Sequence, residues 1–118
     1  MNLTDLHINS SVLCWLATSS ATGQPNVSPK EIFCTYGEDH LLIANIASPG
    51  SERNIRENPA VCVSFIDVLV QKGGQVKGKA EVMTVEDGDF AKLAVGLTEL
   101  TGGKFPFRSL FKVKIESV

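Results

Sequence analysis

Apolar and polar positions alternate with period two along most of the chain, and helical spacing is confined to short stretches. Residues 2–10 suit a short helix with Asn2 or Thr4 as cap, and Val12-Leu13-Cys14-Trp15-Leu16-Ala17-Thr18 is a mostly apolar run suited to a strand buried on both faces. Ser20 to Pro25 supplies a turn, and Asn26 to Tyr36 reads as a second strand. Pro29 removes one ladder donor from it, which points to an edge, a bulge or a ligand-facing position. Gly37-Glu38-Asp39 makes a tight turn, and His40 to Ile46 returns as the third strand of a hairpin.

Ser48-Pro49-Gly50-Ser51 is a loop leading into a helix over Glu52 to Asn58, which must stop before Pro59. From Ala60 to Asp67, Val61, Val63 and Phe65 face one side and Cys62, Ser64 and Ile66 the other, so this is the fourth strand. Lys72-Gly73-Gly74 reads as a hairpin tip. Beyond it Val76, Gly78, Ala80 and Val82 alternate with Lys77, Lys79, Glu81 and Met83, and the small Gly/Ala face leaves room for something pressed against it. Asp87 is placed to cap a helix with Phe90, Leu93, Ala94 and Leu97 on one stripe, and Phe111, Val113 and Ile115 form the inner face of a last strand. Six strands with few helices predict a mainly β fold, an antiparallel barrel, because closure removes exposed edges.

The 118 residues suit one domain spanning 1–118. A net charge of −2 offers no electrostatic reservoir for a phosphate backbone or an anionic membrane, so nucleic acid and membrane are not expected partners. Cys14, Cys34 and Cys62 stand far apart in strand-like surroundings and read as buried reduced thiols. With no basic, apolar leader pattern after Met1, a cytoplasmic location is the expectation, and the Val12–Ala17 run is far short of the ~20 residues of a membrane helix.

Two segments carry candidate chemistry. The start of the helix behind Ser48, Gly50 and Ser51 offers unpaired backbone N–H groups and a positive dipole end, with Arg53 and Asn54 as further donors, which suits a phosphate. The alternative is that Ser48 or Ser51 is an N-cap and Arg53 and Arg56 are solvated. In Pro25-Asn26-Val27-Ser28-Pro29-Lys30, Ser28 and Lys30 share a face; a broken ladder there frees backbone groups for a planar heterocycle, and Lys30 offsets negative charge. The alternative is an edge strand with an exposed lysine. His7 and His40 lack partners at metal-ligand spacing, so no metal is expected. Gly73-Gly74 and Gly102-Gly103 match no phosphate-binding fingerprint, and Lys104-Phe105-Pro106-Phe107-Arg108 is either a ligand cover or a packed loop.

The succession Gln24-Pro25-Asn26-Val27-Ser28-Pro29-Lys30, Leu41-Leu42-Ile43-Ala44-Asn45, Ser51 to Val61 and Gly78-Lys79-Ala80-Glu81-Val82 resembles the pyridoxamine 5′-phosphate oxidase-like, FMN-binding split-barrel superfamily over about residues 10–116. The resemblance implies a six-stranded Greek-key split barrel forming a homodimer, with FMN in clefts at the subunit interface. It places Val27, Ser28, Pro29 and Lys30 along the flavin ring, and Asn45, Ile46 and Ala47 at the ring or ribityl chain. Ser48, Ser51, Arg53 and Asn54 fall near the phosphate. It has a partner subunit contribute the hairpin around Lys72 and Gln75 and the loop from Lys104 to Arg108. The vitamin-forming oxidases carry a C-terminal Trp and an Arg-x-His arrangement, whereas here the only Trp is Trp15 and the only histidines are His7 and His40, which argues against pyridoxamine phosphate oxidation.

The expected function is therefore an FMN-binding oxidoreductase that transfers electrons or hydride through a noncovalent flavin, with no catalytic side chain assigned. Two rivals are a protein of the same fold that binds, stores or senses flavin, coenzyme F420 or haem without turnover, and a small barrel acting as an interaction module.

Overall fold

The computed structural model describes residues 3–103 and 106–118. In chain order the elements are α1 (Leu3–Ser10), β1 (Cys14–Ser19), β2 (Pro25–Lys30), β3 (Phe33–Tyr36), β4 (His40–Ala44), α2 (Pro49–Glu57), β5 (Ala60–Asp67), β6 (Lys72–Thr84), α3 (Phe90–Thr101) and β7 (Ser109–Ser117). The strands form one antiparallel sheet in the order β2-β1-β5-β6-β7-β4-β3.

Seven strands replace the expected six because the segment Asn26–Tyr36 is two strands, not one. β2 pairs only with β1 and β3 only with β4, at opposite edges of the sheet. The chain passes between those edges through Glu31 and Ile32, where the Ala44 amide donates to the Ile32 carbonyl at 3.0 Å. The sheet must curl for its two edges to be joined by so short a link. Pro25 and Pro29 are tolerated in β2 because an edge strand needs ladder bonds on one side only.

The curled sheet wraps a core of Leu16, Phe33, Leu41, Ile43, Val61, Val63, Phe65, Val76, Phe111 and Val113, with Ile8 of α1 and Ile55 of α2 packed into it. A second cluster lies outside the sheet, where Leu93, Ala94 and Leu97 of α3 cover Leu42, Ala44 and Leu110. β4 is thus apolar on both faces because each face has a cover. β1 is not. Cys14, Leu16 and Thr18 are buried, but Trp15 is 45% exposed, so the expectation of a strand buried on both faces fails: among the described residues no helix covers its outer face. Val27, opposite Ala17, and Ile66 of β5 extend that open apolar face, and Val68, Leu69 and Val70 continue it beyond β5.

Three smaller expectations shift. The β5–β6 tip is Val68 to Gln71, with Gln71 at φ 55°, while Gly73 and Gly74 lie inside β6 against Phe65. Asp87 does not cap α3, whose N-cap position is Asp89; its Oδ2 instead accepts the Thr84 amide at 2.7 Å and closes the turn before the helix. α2 begins at Pro49 rather than Glu52, since proline suits the first helical turn. The room left by Gly78 is taken by β7: an added Cβ would lie 1.8 Å from the Lys114 carbonyl oxygen, beside the bulge at Lys77/Gly78. Gly78→Ala is expected to cost about 2 kcal/mol or more, because the opposing atom is backbone and cannot swing away, measured as a lower urea midpoint at unchanged m-value.

Candidate functional site

Where the chain crosses from β2 to β3 it passes the end of β4 and the turn into α2, and an open cleft of about 420 Å³ lies between the crossing and that turn. Ser28, Pro29, Lys30, Glu31 and Ile32 form one wall, and Ala44, Ile46, Ala47 and Ser48 the other. The structure therefore brings together Ser28, Pro29, Lys30, Ile46, Ala47 and Ser48 from the residues expected. Glu31 and Ile32 were missed because period-two reading ran one strand straight through the crossing, and Ala44 because it sits in the apolar run of β4, where nothing local separates a cleft residue from a core one.

Lys30 ends β2 on its inward face and is only 7% exposed. Its Nζ donates to the Ser48 hydroxyl at the N-cap position of α2. Ser48 makes no side-chain cap bond to α2, its hydroxyl donating instead to the Ile46 carbonyl at 3.4 Å, and the Gly50 and Ser51 amides remain at the positive end of the helix. Among the described residues no carboxylate lies within ion-pair distance of Lys30. Burial lowers the pKa of its ammonium from 10.5. Cys14, paired with Lys30 across β1 and β2, is pushed up to about 12 by its own burial and stays a neutral thiol at physiological pH.

Ala47 turns the chain from β4 toward α2 with φ 54°, a left-handed conformation costly for a residue with a Cβ. Next to it Asn45 acts as a clamp. Its Nδ2 donates to Glu52 Oε1 at 3.1 Å and to Ser109 Oγ at 2.9 Å, and its amide donates to the Ser109 carbonyl. Asn45 thus ties β4, α2 and β7 together rather than lining the cleft, and its Oδ1 is buried without a partner.

The remaining expected residues are dispersed. Ser51 is buried with its Oγ 3.5 Å from that of Ser28. Arg53 and Asn54 line a separate polar groove of about 360 Å³ with Asn26, Gly50 and Glu57, and Asn54 Nδ2 donates to Thr18 Oγ1 at 3.0 Å, which docks α2 on β1. Val27 points outward, 60% exposed. Lys72 and Gln75 are exposed on β6, separated from β2 by β1 and β5. Lys104 and Phe105 lie outside the described residues, whereas Phe107 packs edge-on against Phe90 with ring centroids 6.2 Å apart. His7 and His40 sit beside Asp67 and Asp39, at 3.5 and 2.8 Å, and among the described residues no cluster could hold a metal ion.

The cleft thus combines an apolar lining from Pro29, Ile32, Ala44 and Ile46 with hydroxyl, amine and amide donors, and it suits a flat ligand rich in acceptors. Lys30 is a stability cost until it loses its proton. On unfolding it binds a proton at any pH between its lowered folded pKa and 10.5, so stability rises with pH through that window. Lys30→Met is expected to gain stability relative to the parent at pH 7, with the gain shrinking as pH approaches 10.5, measured by urea unfolding of both proteins across that range.

Among curated proteins none matches the sequence. Solved structures do. A pyridoxamine 5′-phosphate oxidase candidate from Lactobacillus delbrueckii is 29% identical, with TM-score 0.73 over 97% of this chain and 90% of that one. HupZ of Group A Streptococcus is 23% identical, with TM-score 0.79 over 96% and 86%, and an FMN-binding protein from Syntrophomonas wolfei is 16% identical, with TM-score 0.73 over 97% and 80%. The fold is shared by a heme storage protein, HutZ of Vibrio cholerae, at TM-score 0.73, and by an F420 reductase at 0.74. A sequence model of the pyridoxamine 5′-phosphate oxidase family matches residues 4–118. With nearly the whole sequence matched and the same curled sheet in its structural relatives, the chain belongs to the pyridoxamine 5′-phosphate oxidase family.

Proposed function

We propose that this protein binds FMN in the cleft between β2 and the β4–α2 turn, as a homodimer, and works as an oxidoreductase. The observation that carries the reading is the junction of Lys30 with Ser48, which sets an amine, two serine hydroxyls and a helix N-terminus around one apolar-walled cleft. The isoalloxazine ring is flat, with acceptors along its pyrimidine edge. Pro29 and Ile46 would flank it while Lys30 and Ser28 donate to those acceptors. The phosphate would sit at the start of α2, beside the Ser48 hydroxyl and the amides of the first turn, with Arg53 one turn on in the separate polar groove. When bound, FMN supplies the electron or hydride transfer, and the chain's task is to bind, orient and exclude water.

A haem reading needs an axial ligand, and among the described residues those lining the cleft include no His, Cys, Met or Tyr. This favours a flavin-type ligand. The homodimer part rests on the open face, where Trp15, Val27, Ile66 and the Val68–Val70 tip leave large apolar side chains exposed. A second copy covering that face would bring its own Lys72 and Gln75 to the neighbouring cleft.

FMN at a hundredfold excess over its Kd is expected to stabilise the fold by about 2.7 kcal/mol, seen as a higher melting temperature, with coenzyme F420 and haem giving smaller shifts. No shift with FMN sinks the cofactor assignment. Trp15→Glu is expected to give a monomer by analytical ultracentrifugation and weaken FMN binding at least about tenfold, because it buries a charge in the proposed interface. A Trp15→Glu protein that remains dimeric disproves the assigned face. Loss of flavin absorbance on anaerobic addition of NADPH is the outcome expected of an oxidoreductase, and a flavin that stays oxidised with every nicotinamide and thiol donor points to a carrier.

A further inference from the structure

We propose that Lys30 is a nucleophilic amine that captures a small aldehyde carrying an anionic group as a reversible imine. The proposal goes beyond flavin binding and concerns the flavin-free cleft, because the aldehyde would take the positions at Lys30 and the start of α2 that the flavin reading gives to FMN. Lys30 is more than nine-tenths buried yet lines an open cleft, so its amine is desolvated and accessible to a small molecule from one side. Every ion pair among the described residues uses a carboxylate on another group: Asp67 with His7, Asp39 with His40 and Lys114, and Glu52 with Arg56. Glu31, next in the chain, is exposed and joins none of them. Cys14 carries no charge to offset an ammonium, since burial holds it as a thiol. A desolvated lysine without a counter-charge favours its neutral, nucleophilic form, in line with the lowered pKa.

Ser48 completes the chemistry. The Lys30 lone pair attacks the aldehyde carbon and forms a C–N bond. The proton lost from nitrogen passes to the carbinolamine oxygen through the Ser48 hydroxyl, already hydrogen-bonded to Nζ. A second proton, from solvent in the open cleft, joins the carbinolamine oxygen as the nitrogen lone pair breaks the C–O bond; one water leaves and the protonated imine remains, with nothing oxidised or reduced. The protonated imine is a cation; Glu31 lines the same cleft but makes no ion pair with Lys30, so a negative charge on the aldehyde itself supplies the counter-charge. The start of α2, at Ser48, is where a phosphate on that aldehyde is best placed.

The test is reductive trapping. The full chain, freed of any flavin and, in a parallel sample, saturated with FMN, is incubated at pH 7 with glycolaldehyde phosphate and sodium cyanoborohydride, and the resulting secondary amines are located by peptide mass spectrometry; the outcomes expected are those of the flavin-free sample. Lys30 is expected to be labelled at least about tenfold faster than the exposed Lys77, Lys79 and Lys114, and to lose most of that advantage with uncharged glycolaldehyde. Labelling of Lys30 no faster than the exposed lysines overturns the nucleophile, and equal preference for both aldehydes overturns the anionic class. Ser48→Ala, which removes no helix-cap bond, is expected to slow labelling at Lys30 while leaving the exposed lysines unchanged. Unchanged labelling at Lys30 in that variant overturns the proton relay.

Discussion

The structure depends on one covalent constraint: the chain leaves one edge of the sheet at Lys30 and enters the opposite edge at Phe33. Three residue steps reach at most about 10 Å, whereas β2 and β3, with five strands between them, would lie about 29 Å apart in a flat sheet. The sheet therefore has to curl until its edges meet, and the interior that this creates is filled by side chains from all but the outermost strand, β2, with α1 and α2 contributing Ile8 and Ile55. The cleft is the seam of that closure. Regular ladder pairing stops at Glu31 and Ile32; only the Ile32 carbonyl is still held, by the Ala44 amide, and both residues line the cleft.

The opposite wall of the seam is held by a different device. Ala47 adopts a left-handed backbone that costs of order 1–3 kcal/mol. Hydrogen bonds to an ionised partner contribute about 1.5–3 kcal/mol each, so the bonds that Asn45 and Ser109 send to Glu52 are of the right size to offset it. The result is that Ser48 and the first turn of α2 are aimed at Lys30. Lys30 in turn is buried at a cost, and the Ser48 hydroxyl is the partner that the fold provides for it.

Coverage of the sheet's outer surface is uneven for a geometric reason. α3 has 12 residues, about 18 Å of helix, enough to cover β4 and β7 but not the far side formed by β1, β2 and β5. Trp15, Val27 and Ile66 are left facing outward on that side, next to the cleft wall built from β2. The site and the uncovered surface are adjacent because both follow from β2 being an edge strand.

Local pattern by itself determined most of the elements. The alternation of Val61, Val63 and Phe65, the stripe of Leu93, Ala94 and Leu97, and the breaks at Gly37 and Pro59 each record one residue's relation to its near neighbours, which sequence expresses directly. Ser28, Pro29, Lys30 and Ser48 were legible as candidates for the same reason: proline in a strand and serine before a helix are local anomalies. Local pattern could not tell that Asn26–Tyr36 serves two sheet edges, that Asn45 and Asn54 spend their amides on Ser109, Glu52 and Thr18, or that Trp15 faces outward. Those outcomes depend on which strands become neighbours across the whole chain. Only the closure of the sheet decided that Lys30 and Ser48, eighteen residues apart, would share one hydrogen bond and make a cleft.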